Sequence, residues 1–324
     1  MSKAKIFVAG HSGMVGSSIV KLLLEKGQKN IITKSHTELD LIKQNSVVNF
    51  FKKKKIDQIY LAAAKVGGIY ANSKFPAEFI YKNLMIEANI IHSAFLCGIK
   101  KIIFLGSSCI YPKFIKTPIK EEDLLSGKLE FTNEPYAIAK IAGIKLCESY
   151  NRQYGKSHGL DYRCVMPSNL YGPGDNYDLK NSHVIPALIR RFHDAKKKRS
   201  PHVIIWGTGK PKREFLHVND LARACIHVMN VNKNLYCKNI GSMITHVNVG
   251  SGKEITIKNL AELIKHIVGY KGKIKFDPRK PDGTLSKLMN NNRIRKLNWK
   301  NKINLEDGLS EVYSDFKKNL APLE

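Results

Sequence analysis

Tyr136 and Lys140 stand four residues apart in the stretch Asn133-Glu134-Pro135-Tyr136-Ala137-Ile138-Ala139-Lys140, which pairs a phenol with an ammonium. A cation held near a phenol favours phenolate, so such a tyrosine can give or take a proton near neutral pH although free phenol titrates near ~10. The two share a face only if the stretch is helical. Thr132 or Asn133 offers a cap and Pro135 suits the first turn, so the sequence predicts a helix running on through Cys147. The spacing alone is weak, because a lysine-rich chain with 13 tyrosines offers rival pairs. Tyr70 and Lys74 fall in a Gly/Asn/Ser stretch read as a loop, and Tyr313 and Lys317 on a terminal amphipathic helix read as a solvated face. Tyr136 is preferred for its context: it follows a nucleotide-binding first half and Gly106-Ser107-Ser108-Cys109 at a strand end.

That first half opens with Ile6-Phe7-Val8-Ala9, a buried strand by composition, which runs into Gly10-His11-Ser12-Gly13-Met14-Val15-Gly16 and an amphipathic helix ending near Gly27. Glycines in this spacing permit a tight turn and close approach of a pyrophosphate, whose charge is met by the free N–H groups of the helix start. The second strand, Asn30 to Thr33, ends in Lys34-Ser35-His36, where an NAD enzyme often carries an acid for the ribose 2′-hydroxyl. A basic tip favours a 2′-phosphate and so NADP; an exposed lysine in a basic protein is the plain alternative. Strand three, Gln58 to Leu61, opens into small residues, Ala62-Ala63-Ala64-Lys65-Val66-Gly67-Gly68, and a helix from about Pro76 to Cys97. Strand four, Lys101 to Leu105, delivers Ser107, Ser108 and Cys109 to the carboxyl edge of the sheet, and a fifth, Tyr162 to Met166, ends in Pro167-Ser168-Asn169-Leu170.

Strands alternating with helices imply an α/β fold with a doubly wound parallel Rossmann sheet. After residue 171 the pattern changes to a smaller C-terminal α+β domain: a basic helix starting in Asn181-Ser182-His183-Val184-Ile185-Pro186, a strand at Val203 to Trp206, and Arg213-Glu214-Phe215-Leu216-His217-Val218 leading into a helix through Met229. The expected division gives residues 1–170, with about 212–247, to the NADP-binding domain and residues 171–211 and 248–324 to a substrate domain forming the far wall of a cleft.

Bulk properties narrow the class. At 324 residues with 43% hydrophobic content the chain holds ample core. It contains no apolar run of about 18 residues, and strand-like residues begin at Lys5, so a soluble cytoplasmic protein without a membrane span is expected. Six scattered cysteines and 11 histidines form no metal-ligand spacing, which points to no metal and to mostly buried thiols. The net charge of +27 is spread along the chain with short runs at Lys52 to Lys55 and Lys196 to Arg199, and no nucleic-acid motif accompanies it. A positive field serves anionic ligands such as a nucleotide sugar and a phosphorylated cofactor equally well.

With Gly10-x-x-Gly13-x-x-Gly16, Ser107 and Tyr136-x-x-x-Lys140 in this order, the chain resembles the extended short-chain dehydrogenase/reductases. Ala62 to Gly68, Gly106-Ser107-Ser108-Cys109-Ile110-Tyr111-Pro112, Asn181 to Pro186 and Arg213 to Val218 make it similar, over nearly the whole chain, to the GDP-L-fucose synthase family of GDP-4-keto-6-deoxymannose 3,5-epimerase/4-reductases. The resemblance implies an NADP(H)-dependent homodimer acting on a GDP-sugar. It assigns to the coenzyme Gly10, His11, Ser12, Gly13, Met14, Val15 and Gly16; Lys34, His36 and Leu41; Leu105, Gly106, Ser107 and Ser108; Lys140; Pro167, Ser168, Asn169 and Leu170; and His183. It also makes Cys109 the base and His183 the acid of epimerisation, with Ser107 and Tyr136 on the C4 oxygen and Lys140 on the nicotinamide ribose. Arg191, Trp206, Arg213 and Asp282 match the family's GDP-sugar contacts. Each has a plainer alternative: a structural thiol for Cys109, helix capping or a polar contact for His183, ordinary surface or core roles for the other four.

Two departures from the family stand out. Its arginines at the positions of Ser12 and His36 are missing, which leaves Lys34 as the main candidate for a 2′-phosphate; and a four-residue excess falls near Lys156 to Gly159, in an expected surface loop. Reduction or epimerisation of another GDP-4-keto sugar, such as a 6-deoxyheptose, and a non-catalytic NADP-binding protein are the competing readings.

Overall fold

The structure, a computed structural model, describes residues 4–178, 182–241, 244–280 and 282–319. Short apolar runs near the N-terminus become β1 (Ile6–Ala9), β2 (Ile31–Ile32), β3 (Gln58–Leu61), β4 (Lys101–Leu105) and β5 (Asp161–Pro167), and His246–Val249 joins them later as β9. Between β5 and β9 lie β6 (Asn169–Tyr171), β7 (His202–Trp206) and β8 (Lys212–His217). The six-stranded sheet has the order β2-β1-β3-β4-β5-β9 with every neighbouring pair parallel. The chain leaves β1 toward β2 and returns to β3 on β1's other side, so the strand order reverses there, and ligands of open α/β sheets bind at such a reversal.

Both faces of the sheet are covered, as the near-continuous apolar strands require. One face packs α1 (Met14–Glu25) and α7 (Val218–Asn230) over Val8, Tyr60, Ile103, Val165 and Val247. The other carries α2 (Gln44–Lys54), α4 (Pro76–Leu96) and α5 (Glu134–Tyr154) over Phe7, Ile59, Ile102, Phe104 and Cys164. A third core, built from Tyr171, Leu188, Ile189, Phe192, Ile205, Leu260 and Phe316, belongs to the C-terminal lobe, where β7 pairs in parallel with Lys273–Asp277 and α6 (Val184–Lys197) supplies the inner face.

Two expectations need correcting. Tyr70 and Lys74 lie on a short helix, α3 (Ile69–Lys74), and not in a loop: Asn72 Nδ2 donates to the carbonyls of Gly67 and Gly68, which closes the first turn. Tyr313 does not face solvent with Lys317. It is 7% exposed, and its hydroxyl lies 3.2 Å from His193 Nδ1, because the third core takes in that side of the terminal helix.

Candidate active site

A cleft of about 2340 Å³ runs from the β1–α1 turn to the inner wall of the C-terminal lobe, and every residue singled out from the sequence as catalytic, coenzyme-binding or sugar-binding lines it. Asn181 and Pro281 of the quoted motifs lie outside the described residues.

At the β1–α1 end of the cleft the glycines are there for steric reasons. Gly10 has φ +82°, and a Cβ on it would stand 2.6 Å from the Ala63 nitrogen; a Cβ on Gly16 would stand 2.0 Å from the Gly10 carbonyl oxygen. The loops after β1 and β3 therefore touch, and α1 begins at Met14 after the cap residue Gly13, with no side-chain capping bond to its first N–H groups. Ser168, 4% exposed, has an Oγ with no hydrogen-bond partner on the same wall. Bare helix N–H groups, a side-chain-free cradle and a waiting hydroxyl fit a dinucleotide diphosphate. Lys34 is not free: its Nζ lies 2.6 Å from Glu38 Oε1, and Glu38 also accepts from the Ser35 amide and hydroxyl. These bonds, led by Lys34, hold the Glu38 carboxyl down at about 2. His36 is exposed, with its ring 3.8 Å from Asp40. An exposed ion pair is weak, so an arriving phosphate can take Lys34 from Glu38.

The centre of the cleft is built by β4 and α5. Ser107 caps a 3₁₀ turn after β4, its Oγ accepting from the Cys109 amide at 3.4 Å, which brings the Cys109 thiol to the cleft from a position 7% exposed. Burial pushes that thiol up, while the Ser107 hydrogen bond and the cations Lys287 and Lys140 pull it down; the net direction is up. Helix α5 begins as predicted, with Asn133 at the cap position and Pro135 in the first turn, although the Asn133 side chain makes no capping bond. The Tyr136 ring is braced edge-on by Phe79 of α4, with centroids 6.3 Å apart.

Lys140 departs from the simple picture of a cation lowering a phenol. Its Nζ stands 5.7 Å from the centre of the Tyr136 ring, donates to the Leu105 carbonyl at 3.0 Å, and lies 2.9 Å from Glu87 Oε1 on α4. Tyr136 is pushed well above the ordinary phenol value, first by burial and then by Cys109 and Glu87. Sequence reasoning missed Glu87, and its signal was a carboxylate at helical spacing in the buried stripe Phe79, Asn83, Glu87, Ile91. Lys287 was missed as well; burial lowers its pKa, and it faces Cys109 across the cleft wall.

The far wall belongs to the C-terminal lobe. His183 occupies the cap position of α6 without making a capping bond, so its ring remains at the cleft, and desolvation lowers its pKa. Arg191 of α6 lies against Trp206 at the end of β7. Arg213 of β8 donates to the Thr284 carbonyl, and Asp282 accepts from the Thr208 amide and hydroxyl at 2.9 and 2.6 Å. Among the described residues no group of three or more His, Cys, Asp or Glu could hold a metal, and no helix is long and apolar enough to cross a membrane.

Residues 6–250 match the NAD dependent epimerase/dehydratase family. The chain is 55% identical over 319 residues to the GDP-L-fucose synthase of Escherichia coli (strain K12), covering 98% of each. Among solved structures it is similar to a GDP-6-OMe-4-keto-L-xylo-heptose reductase from C. jejuni, with a TM-score of 0.91 and 39% identity over 98% of this chain and 99% of that one. It is also similar to a GDP-mannoheptose C4 reductase from Campylobacter jejuni with NADP bound, with a TM-score of 0.88, 38% identity and the same coverage.

Proposed function

This chain belongs to the NAD dependent epimerase/dehydratase family and, within it, to the GDP-L-fucose synthases, and from that premise we propose that it inverts C3 and C5 of GDP-4-keto-6-deoxy-D-mannose and reduces C4, giving GDP-L-fucose. The observation that carries the reading is a thiol and an imidazole, Cys109 and His183, lining the same cleft as Ser107, Tyr136 and Lys140. A reductase alone needs only the last three.

A C4 ketone acidifies the hydrogens at C3 and C5, so a base and an acid can invert both centres through enolates. Cys109 Sγ, as thiolate, takes the carbon-bound proton, and His183 returns one to the opposite face. Tyr136 and Ser107 hydrogen-bond the C4 oxygen and so stabilise the enolate charge. Bound NADPH supplies the hydride for C4. Tyr136 Oη then gives its proton to the C4 alkoxide, and Lys140 orients the coenzyme ribose. Arg191 and Arg213 suit the paired oxygens of the GDP diphosphate, with Trp206 and Asp282 holding the rest of the sugar nucleotide. Lys34, supported by His36, meets the 2′-phosphate, which is the basis for NADPH over NADH. Residues 1–170 with about 212–247 hold the coenzyme in this reading, and residues 171–211 with 248–324 hold the sugar nucleotide. A cytoplasmic homodimer belongs to the same reading, and sedimentation tests the oligomer.

NMR of the product after mixing purified protein, NADPH and GDP-4-keto-6-deoxymannose is the test, and GDP-L-fucose is the expected product. The similarity to GDP-heptose reductases favours one alternative, a GDP-4-keto-6-deoxyheptose substrate. A kcat/KM higher for the heptose than for the hexose replaces the first reading with the second, and no turnover of either leaves a coenzyme-binding protein.

A further inference from the structure

Helices α4 and α5 bury an ion pair directly behind the candidate catalytic tyrosine. Glu87 is 1% exposed and Lys140 is 2% exposed, with Nζ and Oε1 2.9 Å apart. The chain makes room for this carboxylate. A Cβ on Gly143, one turn beyond Lys140, would stand 2.7 Å from Glu87 Oε2 and 2.5 Å from the Phe104 ring, so glycine at that position is what lets the glutamate enter the interface. Oε2 has no hydrogen-bond partner. A buried carboxylate with one oxygen on an ammonium and the other on nothing is an expensive way to join two helices, since apolar residues of the same volume do it as well.

We propose that Glu87 is a positioning residue for the reduction: its carboxylate takes up the charge of Lys140 and holds the ammonium on the Leu105 carbonyl, so that Tyr136 stays a neutral phenol and enters the reaction as a proton donor. This inference rests on the reading of Tyr136 as the acid for the C4 alkoxide. A tyrosine that serves an oxidation must start as phenolate, and an unopposed lysine favours that form; a tyrosine that serves a reduction must start protonated. The titratable groups facing Tyr136 and the pair are Cys109 from the turn after β4, Glu87 from α4, and Lys140 and Cys147 from α5, with Lys287 beyond Cys109. Glu87 is the carboxylate among these close to both Lys140 and Tyr136: burial lifts its carboxyl to about 6, against the pull of Lys140, which leaves it charged near pH 7, while burial raises both thiols.

The test is a pH titration of the full chain labelled with ¹³C at tyrosine Cζ, without and with NADPH, the Tyr136 signal being identified by its loss in Y136F. In the parent, Tyr136 remains a phenol up to and beyond the pH at which the exposed tyrosines ionise. In Glu87→Gln, which keeps size and an oxygen toward Lys140, the Tyr136 titration falls by about 1–2 pH units. The alkaline limb of kcat for C4 reduction moves down with it, and Glu87→Asp restores both toward the parent. A purely structural pair would lower stability without moving either; a folded E87Q with both unmoved overturns the inference. Should E87Q not fold, the titration is made on Glu87→Met, which keeps the volume and removes the charge; a Tyr136 titration that falls there supports the inference, and one unmoved from the parent overturns it, since burial and Cys109 then suffice to hold the phenol. The titration uses no sugar nucleotide, so a wrong substrate assignment would leave its outcome unchanged.

Discussion

The guanidinium of Arg191 lies 5.7 Å from the centre of the Trp206 ring, and Lys280 reaches the same ring from 5.4 Å. Trp206 is 62% exposed, so the indole and its cations form a charged aromatic shelf open to the cleft and not part of the core. Burial lowers the pKa of Arg191 from a value so high that the group stays charged at neutral pH. Arg191→Ala should raise KM for the GDP-sugar by roughly tenfold to a hundredfold, the range of one lost charge-assisted hydrogen bond, with kcat changed far less. Steady-state kinetics against the sugar nucleotide checks this, and an unchanged KM removes Arg191 from the diphosphate.

The Lys34–Glu38 pair makes a two-sided prediction about the coenzyme. Lys34→Ala should raise KM for NADPH more than that for NADH, because only NADPH offers the 2′-phosphate. Glu38→Gln, which removes the competing carboxylate 2.6 Å from Lys34, should lower KM for NADPH by about twofold to fivefold and leave NADH alone. Equal effects on the two coenzymes would show that this pair does not read the phosphate.

The three tyrosine–lysine pairs now differ by more than context. Tyr136→Phe removes one hydroxyl and little packing, so kcat for reduction should fall by about 10²–10⁴ while nucleotide binding stays measurable. Tyr70→Phe should be close to silent in turnover, and Tyr313→Phe should leave turnover intact while losing about 1 kcal/mol of stability with its contact to His193. If Tyr70→Phe were the disabling change, the choice among the three would be wrong.

What the sequence made legible is what depends on neighbours along the chain. The parallel strands, the glycine turn, the start of α5 and the gathering of Ser107, Tyr136 and Lys140 at one sheet edge all follow from short apolar runs, caps and breakers. Glu87 and Lys287 were not legible, since their meaning comes from α4 packing on α5 and from the C-terminal lobe folding back over Cys109. Lys140 was found but its partner Glu87 was not, and the burial that does most to raise the phenol, ahead of Cys109 and Glu87, depends on packing that spacing along the chain does not show. Tyr313 failed for a related reason: helical periodicity marks an apolar stripe but does not say how far a neighbouring core extends around it.

The last prediction separates epimerisation from reduction. Proton exchange at C3 and C5 passes through solvent-exchangeable groups and hydride delivery to C4 does not, so turnover in heavy water should place deuterium at C3 and C5 but not at C4. Cys109 is assigned to the first process only. Its thiol is pushed above the ordinary range near ~8.5, so the thiolate fraction rises as pH rises, and labelling per unit time should increase about tenfold per pH unit below that titration. His183 works in the opposite sense: its pKa is lowered, so its protonated form is lost as pH rises above an already acidic value. Labelling that climbs with pH is therefore the expected outcome, with proton removal by Cys109 limiting the exchange, and labelling that falls as pH rises would take the limiting step from Cys109. Cys109→Ala should suppress deuterium entry at both carbons, with any residual turnover yielding a sugar reduced at C4 and unepimerised at C3 and C5. Serine is a poorer substitute because its hydroxyl can still relay a proton. A Cys109→Ala enzyme that makes GDP-L-fucose at near the parent rate with full labelling would take the base role from Cys109, and parent turnover without any labelling would reduce the activity to a 4-ketoreductase.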